Sequence, residues 1–228
     1  QVLLRLSPPD NERLSRGDTF VKQVGGAELN VAVGAALLGL HTGVISKLPA
    51  HDIGSFMKGK IRSFGVSDDF FMYDQSPAAR VGIYYYENGA YPRKPKVIYD
   101  RNHSSFFSLD IDEIPEEVYT ASKCFHTTGI TLALNEDIRE TTIEMIKRFK
   151  AAGTLVSFDV NFRGNLWTGD QARECILRIL PYVDIFFCSE DTARLTFLKT
   201  GTAREMMKSF TEEFPISIVA STQRIVHS

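Results

Sequence analysis

The stretch "KQVGGAELNVAVGAALLGL", residues 22–40, sets Gly25 and Gly26 between an extended segment and a strongly apolar helix, with Asn30 one turn inside it. Two residues without a Cβ let backbone come close to a ligand. The free N–H groups of the first helical turn then face whatever lies there. Asn30 offers both a donor and an acceptor to a sugar hydroxyl. The plainer explanation is a tight turn, with Asn30 serving nearby backbone. A second cluster, "SFDVNFRGNLW" at residues 157–167, leads a buried strand outward through Asp159, Asn161 and Arg163, pointing alternately. In open α/β sheets ligands bind beyond the carboxyl ends of strands, and an arginine there suits bidentate capture of a carboxylate or phosphate. The alternative is an Asp–Arg pair tying the strand end to the next helix. In "KVIYDRNHSS", residues 96–105, Tyr99 and Arg101 stand two apart, on one face of a strand. A phenol beside a guanidinium is a grip for an anionic substrate, or else a polar stripe facing water.

Two further matches carry no site. "GSFMKGKI", residues 54–61, has GxxxxGK spacing, but Ile61 stands where Ser or Thr is needed, and the segment falls within a helix that Asp52 can cap. The five histidines are scattered without metal-ligand spacing, so no metal cage is expected.

The elements that must position these residues follow from apolar periodicity and punctuation. Strands are expected at 2–6, 42–48, 69–73, 80–86, 96–100, 123–128, 154–160, 184–188 and 216–220, and helices at 28–38, 53–64, 136–152, 169–181, 190–198 and 202–213. Asn135 precedes a long helix that stops at Gly153. From residue 123 onward strands alternate with helices, the signature of βαβ units around a largely parallel sheet. Residues 69–108 differ: two tyrosine-rich strand-like runs are joined by a Gly/Pro/Lys-rich connection, which reads as an antiparallel flap or an ordinary edge hairpin.

The chain has 228 residues, 43% hydrophobic and 24% charged, enough for a sizeable core. A formal net charge of -2 gives no bias toward nucleic acid or an anionic membrane. Cys124, Cys175 and Cys188, odd in number and without CxxC spacing, read as core thiols of a reducing compartment. No run approaches the ~20 apolar residues of a membrane span and no signal peptide is visible, so a cytoplasmic location is expected. "QVLLRLS" opens inside a strand and "FPISIVASTQRIVHS" stops after a strand and a turn, as in a piece of a longer chain.

Taken together, "GGAELNVAVGAALLGL", the tyrosine-rich flap and "FDVNFRGNLW", with "LLRLSPP" and "HTTGITLAL", resemble the PfkB (ribokinase-like) carbohydrate kinases, most nearly those of 2-keto-3-deoxygluconate. The resemblance covers essentially the whole chain. It implies an α/β, ribokinase-like three-layer sandwich with a mostly parallel sheet and a small β lid. It also implies ATP as phosphoryl donor, Mg2+ as assistant, and a homodimer or higher homo-oligomer formed through the lids. By position, Gly26 and Asn30 would touch the sugar, and Tyr84, Tyr99 and Arg101 would be contacts in or beside the lid. Arg163 would bind the keto-acid, and Ser189 and Glu190 would serve the nucleotide. Arg5 stands where many neutral-sugar kinases of the family carry Asp. The family's GAGD segment, which supplies the catalytic Asp, is absent from this sequence, so no catalytic residue is assigned. In "SEDT", Thr192 falls where a Glu near the Mg2+–phosphate network is common.

The expectation is therefore a single α/β kinase-like domain over 1–228, incomplete at its C-terminus, with a lid mainly at 69–108. It would phosphorylate 2-keto-3-deoxygluconate on its primary hydroxyl. The alternatives are a fructokinase- or ribokinase-type member and a non-catalytic sugar-acid-binding module. A dinucleotide-dependent oxidoreductase is disfavoured, because no GxGxxG follows a strand.

Overall fold

The structure, a computed structural model, describes residues 1–222; the turn expected after the last strand reaches beyond them. The chain forms two compact units, Gln1–Ile114 and Pro115–Ser228.

In the first unit a four-stranded sheet runs in the order β2 (Val21–Gly25), β1 (Leu3–Ser7), β7 (Ile83–Glu87), β8 (Lys96–Asp100). The β1–β2 and β7–β8 pairs are antiparallel and β1–β7 is parallel. Side chains alternate across a strand, so the sheet has two unlike faces. Leu4, Val24 and Ile83 are in register and join a hydrophobic cluster. Leu29 of α1 (Ala27–Leu37) and Met57 and Ile61 of α2 (Asp52–Arg62) complete it. The opposite face carries the row Gln23, Arg5, Tyr84, Tyr99. Two small parallel pairs stand beside it: β3 (Thr42–Gly43) with β5 (Val66–Ser67), and β4 (Ser46–Pro49) with β6 (Phe71–Asp74).

This arrangement amends several expectations. The strand expected at 42–48 is two short ones, and the flap expected over 69–108 narrows to the β7–β8 hairpin, since β6 pairs with β4 instead. Half of the four-stranded sheet that holds this hairpin comes from β1 and β2, far away in sequence. β2, "VKQVG", gives little strand signal because a Lys and a Gln interrupt five residues that follow a polar run. Asp52 does not cap α2: His51 is the cap, its Nδ1 accepting from the Ile53 N–H at 3.2 Å. Asp52 lies in the first turn, where a carboxylate complements the helix dipole.

Among the described residues the second unit holds four parallel strands in the order β12 (Ile218–Ala220), β11 (Ile185–Phe187), β10 (Leu155–Asp159), β9 (Cys124–Thr128). Short helices α3 (Glu117–Ala121) and α4 (Gly129–Leu132) flank β9, and α5 (Glu136–Ala151) leads to β10. In α5 Ile138, Ile143, Ile146 and Phe149 are buried at helical spacing. Asn135 caps it by accepting from the Ile138 N–H at 2.9 Å, and Gly153, at φ +83°, ends it. α6 (Gly169–Leu177) is shorter than the expected 169–181. Pro181, which lacks an N–H, sits in the single 3-10 turn Leu180–Tyr182 that follows. α7 (Glu190–Leu195) and α8 (Ala203–Glu213) follow. Its core is aromatic: Phe186 packs edge-on to Phe210 with ring centres 5.0 Å apart and lies parallel to Phe158 at 6.4 Å. Cys175 and Cys188 are buried and Cys124 is exposed. Among the described residues no helix is long and apolar enough to cross a membrane.

Candidate functional site

The glycine junction separates into two requirements. Gly25 ends β2, and a Cβ there would lie 2.3 Å from the Tyr84 hydroxyl oxygen. Gly26 is the N-cap of α1 at φ +152°, and its Cβ would lie 2.7 Å from the Gln1 carbonyl oxygen. Both glycines are therefore demanded by the protein's own packing, Gly25 by a tyrosine already expected in the site. Asn30 is exposed in the first turns of α1, and among the described residues nothing takes its side-chain amide.

The open face of the four-stranded sheet brings together the residues expected from "VGIY" and "VIYDR". Tyr84 on β7 is directly opposite Tyr99 on β8, with ring centres 5.9 Å apart and planes tilted by 33°. The Arg101 guanidinium lies 5.5 Å from the centre of the Tyr99 ring, within cation–π range. Its Nε donates to Gln1 Oε1 at 2.9 Å, and Gln1 Nε2 donates to Ser104 Oγ at 2.8 Å. These bonds hold the guanidinium by one edge. Burial works against its charge, while Tyr99 and Glu28 work for it; arginine remains cationic throughout. Burial likewise pushes the Tyr84 hydroxyl up, and the positive charge of Arg5 pulls it the other way.

Arg5 is the member of this face that sequence patterning missed as a working residue. It is registered between Gln23 and Tyr84, with its guanidinium 4.3 Å from the centre of the Tyr86 ring. The available signal was a cation amid the apolar run "LLRLS", flanked by leucines that alternate to the core.

In the second unit the expected residues line the carboxyl edge of the parallel sheet. Asp159 ends β10 in register with Thr128 of β9 and Phe187 of β11. Asn161 does not continue the strand's alternation: it turns to φ +38°, its N–H bonded to Asp159 Oδ1 at 3.0 Å. The chain thus leaves the sheet in an Asx turn, and the Arg163 position is set by that loop. Arg163 is exposed, donates to the Phe162 carbonyl at 2.9 Å, and makes no ion pair among the described residues. The alternative of an Asp–Arg tie is accordingly not what holds it.

Past the carboxyl end of β11, Ser189 caps α7, its Oγ accepting from the Thr192 N–H at 3.2 Å and lying 2.8 Å from Thr192 Oγ1. Glu190 pairs with Arg194 at 3.1 Å along the same helix. Cys188, just before, has its thiol pushed up to about 12 by burial and the nearby Asp159 charge, so it is chemically quiet. Among the described residues no group of three or more His, Cys, Asp or Glu side chains could hold a metal ion. Mg2+ typically keeps several waters and binds through one or two carboxylates plus substrate phosphates, so a protein cage is not what an ATP-borne ion would need.

The description "pfkB family carbohydrate kinase" matches residues 2–223. The chain is 34% identical over 223 residues to a 2-dehydro-3-deoxygalactonokinase of Haloferax volcanii, covering 98% of this chain and 69% of that protein. It is 33% identical over 156 residues to the 2-dehydro-3-deoxygluconokinase of Bacillus subtilis, covering 68% of this chain and 47% of that one. Among solved structures, the 2-dehydro-3-deoxygluconokinase of Thermotoga maritima superposes with a TM-score of 0.90 at 30% identity, covering 97% of this chain and 69% of its own. These likenesses bear out the α/β, ribokinase-like fold with mostly parallel sheets. The chain belongs to the pfkB family of carbohydrate kinases, phosphotransferases that act on a sugar hydroxyl.

Proposed function

We propose that this chain carries the sugar-acid site of an ATP-dependent kinase that moves the γ-phosphoryl group to the primary hydroxyl of 2-keto-3-deoxygluconate. The observation that carries the reading is the Tyr84–Tyr99 pair with the Arg101 guanidinium beside it on the open face of the four-stranded sheet. Phenol hydroxyls suit a polyol and a tethered guanidinium suits a carboxylate. In this reading Gly26 and Asn30 lie against the sugar, Arg163 takes the acid from its own loop, and Ser189 and Glu190 stand on the nucleotide side. ATP with Mg2+ is the donor, and the four-stranded sheet is the lid. Transfer breaks the bond between ATP's γ-phosphorus and its bridging oxygen, releasing ADP, and forms one to the sugar oxygen, which gives up its proton; the residues here position the acceptor for that displacement. The reading takes the gluco acid, for which the Bacillus and Thermotoga relatives are named, over its C4 epimer, the galacto acid, for which the Haloferax relative is named.

The test is an ATP-coupled assay of the full-length protein on both epimers, ribose and fructose. Faster kcat/KM on the gluco acid is the expected result; the galacto acid winning would overturn the epimer assignment, and a neutral sugar winning would overturn the acid. A non-catalytic sugar-acid binder is the second reading, favoured by Thr192, whose hydroxyl is engaged with Ser189; acid binding without turnover would select it. Homodimerisation through the lid is supported by β8, an edge strand exposed along its whole length, and sedimentation of the protein as a monomer would refute it.

A further inference from the structure

Arg5 is half-buried on the open face of the four-stranded sheet. Its Nε donates to Ser7 Oγ at 2.8 Å, and its Cζ lies over the Tyr86 ring, 4.3 Å from the centre. Together these contacts fix the guanidinium from one edge and one side. Among the described residues no carboxylate forms an ion pair with it. Charges taken partly out of water are normally paired, so this one stands out. It is also immobilised in the middle of the row that ends in Tyr84 and Tyr99. Tyr84 in turn is hemmed in, its hydroxyl lying over Gly25. A fixed, uncompensated cation next to two phenols lends that face a positive field, which favours an anion over a neutral molecule of the same shape.

We propose that Arg5 is a specificity-determining residue of the sugar-acid site: fixed by Ser7 and Tyr86 beside Tyr84, it makes the tyrosine row favour an anionic sugar over a neutral one. The inference rests on the sugar-acid reading above and goes beyond it by assigning the discrimination to a residue outside the expected contacts. Arg101 would grip the carboxylate, whereas Arg5 acts through the field it lays over the tyrosine row.

The experiment compares wild type, Arg5→Met, Arg5→Gln and Arg5→Lys in the full-length protein. The two substrates are 2-keto-3-deoxygluconate and 3-deoxyfructose, the same ketose with a hydroxymethyl group in place of the carboxylate. In Arg5→Met and Arg5→Gln the acid KM is expected to rise about 10-fold with kcat within about two-fold, an effect on ground-state binding. The KM for 3-deoxyfructose stays put, and the fall of kcat/KM for the acid with added salt becomes shallower. Arg5→Lys restores most of the acid KM. A merely structural role would damage both substrates alike and leave the salt slope unchanged; that result overturns the inference, as does an acid KM unmoved by loss of the charge. Should the neutral variants fail to fold, Arg5→Lys decides: a KM that worsens equally for both substrates overturns it. A wild type with acid activity and an indifferent Arg5 sinks this inference alone, whereas a wild type with no acid activity or binding sinks the function on which it rests.

Discussion

The hydroxyl of Tyr84 occupies the place where a side chain on residue 25 would begin: a Cβ on Gly25 would be 2.3 Å from it. The first glycine of the pair therefore serves a tyrosine of the candidate site, and strand β2 and strand β7 are matched through it although β1 lies between them.

Gly25→Ala should displace the Tyr84 ring, lowering stability by roughly 1–3 kcal/mol, the usual range for overpacking, and raising the sugar KM. Tyr84→Phe removes the clashing oxygen, leaving ring carbons 3.1 Å from the added methyl. The double variant should accordingly lose less than the sum of the two single losses. Denaturant titration of the four proteins measures that coupling, and strict additivity would contradict the contact.

Two other glycines in this region should respond with opposite sign. Gly26 sits at φ +152° with the Gln1 carbonyl in the way, so Gly26→Ala should destabilise by about 1–3 kcal/mol. Gly34 lies inside α1 with nothing within 4 Å of its would-be Cβ. Gly34→Ala should stabilise by roughly 0.5–1 kcal/mol, because alanine restricts the unfolded chain and favours helix. Thermal melts of the two variants provide the comparison.

Arg101→Ala should raise the KM for the sugar acid by roughly 10- to 100-fold, the equivalent of ~1.5–3 kcal/mol for a charge-assisted hydrogen bond. Its fold should survive, since the tether to Gln1 is a single bond at 2.9 Å. Arg101→Lys should recover only part of the affinity, lacking the planar fork. Arg163→Ala should likewise weaken acid binding with little effect on stability, its side chain being exposed with one local bond. An unchanged KM in either alanine variant would remove that residue from the grip.

Acid sensitivity should trace in part to Asp74. Its Oδ1 accepts from the Ser76 N–H at 2.9 Å and its Oδ2 from the Ser105 hydroxyl at 2.7 Å. These bonds, the backbone one first, hold its carboxyl below the ordinary value of 3.8. As pH falls below that value the unfolded chain takes up the proton before the folded one does. The stabilisation is thus present in full above it and disappears as pH drops through the lowered folded value. Asp74→Asn should flatten the loss of stability in that window, which urea unfolding at a series of pH values would register; an unaltered slope would rule Asp74 out as the source.

Local chemistry made much of this protein legible in its sequence. The start of α5 could be read from Asn135 and its end from Gly153, because a cap and a left-handed stop act within a few residues. "LVSFD" and "IFF" showed as strands because a parallel sheet under helices favours short apolar runs, and Val156, Phe158 and Phe186 are indeed buried there, although Leu155 and Phe187 at the strand ends are exposed. Tyr99 and Arg101 could be placed on one side from the two-residue period of a strand. Where chemistry is shared between distant segments, the sequence was silent. β2 gained its identity from pairing with β1, His51 took the cap that Asp52 was expected to supply, and Asn161 left the strand's alternation by turning to positive φ. Above all, only the tertiary structure decided that Gln23, Arg5, Tyr84 and Tyr99 form one row and that Gly25 must be bare beneath Tyr84. The reason is that register is fixed by backbone hydrogen bonds between strands and by which face must be buried, and both depend on neighbours that a strand's own residues do not name.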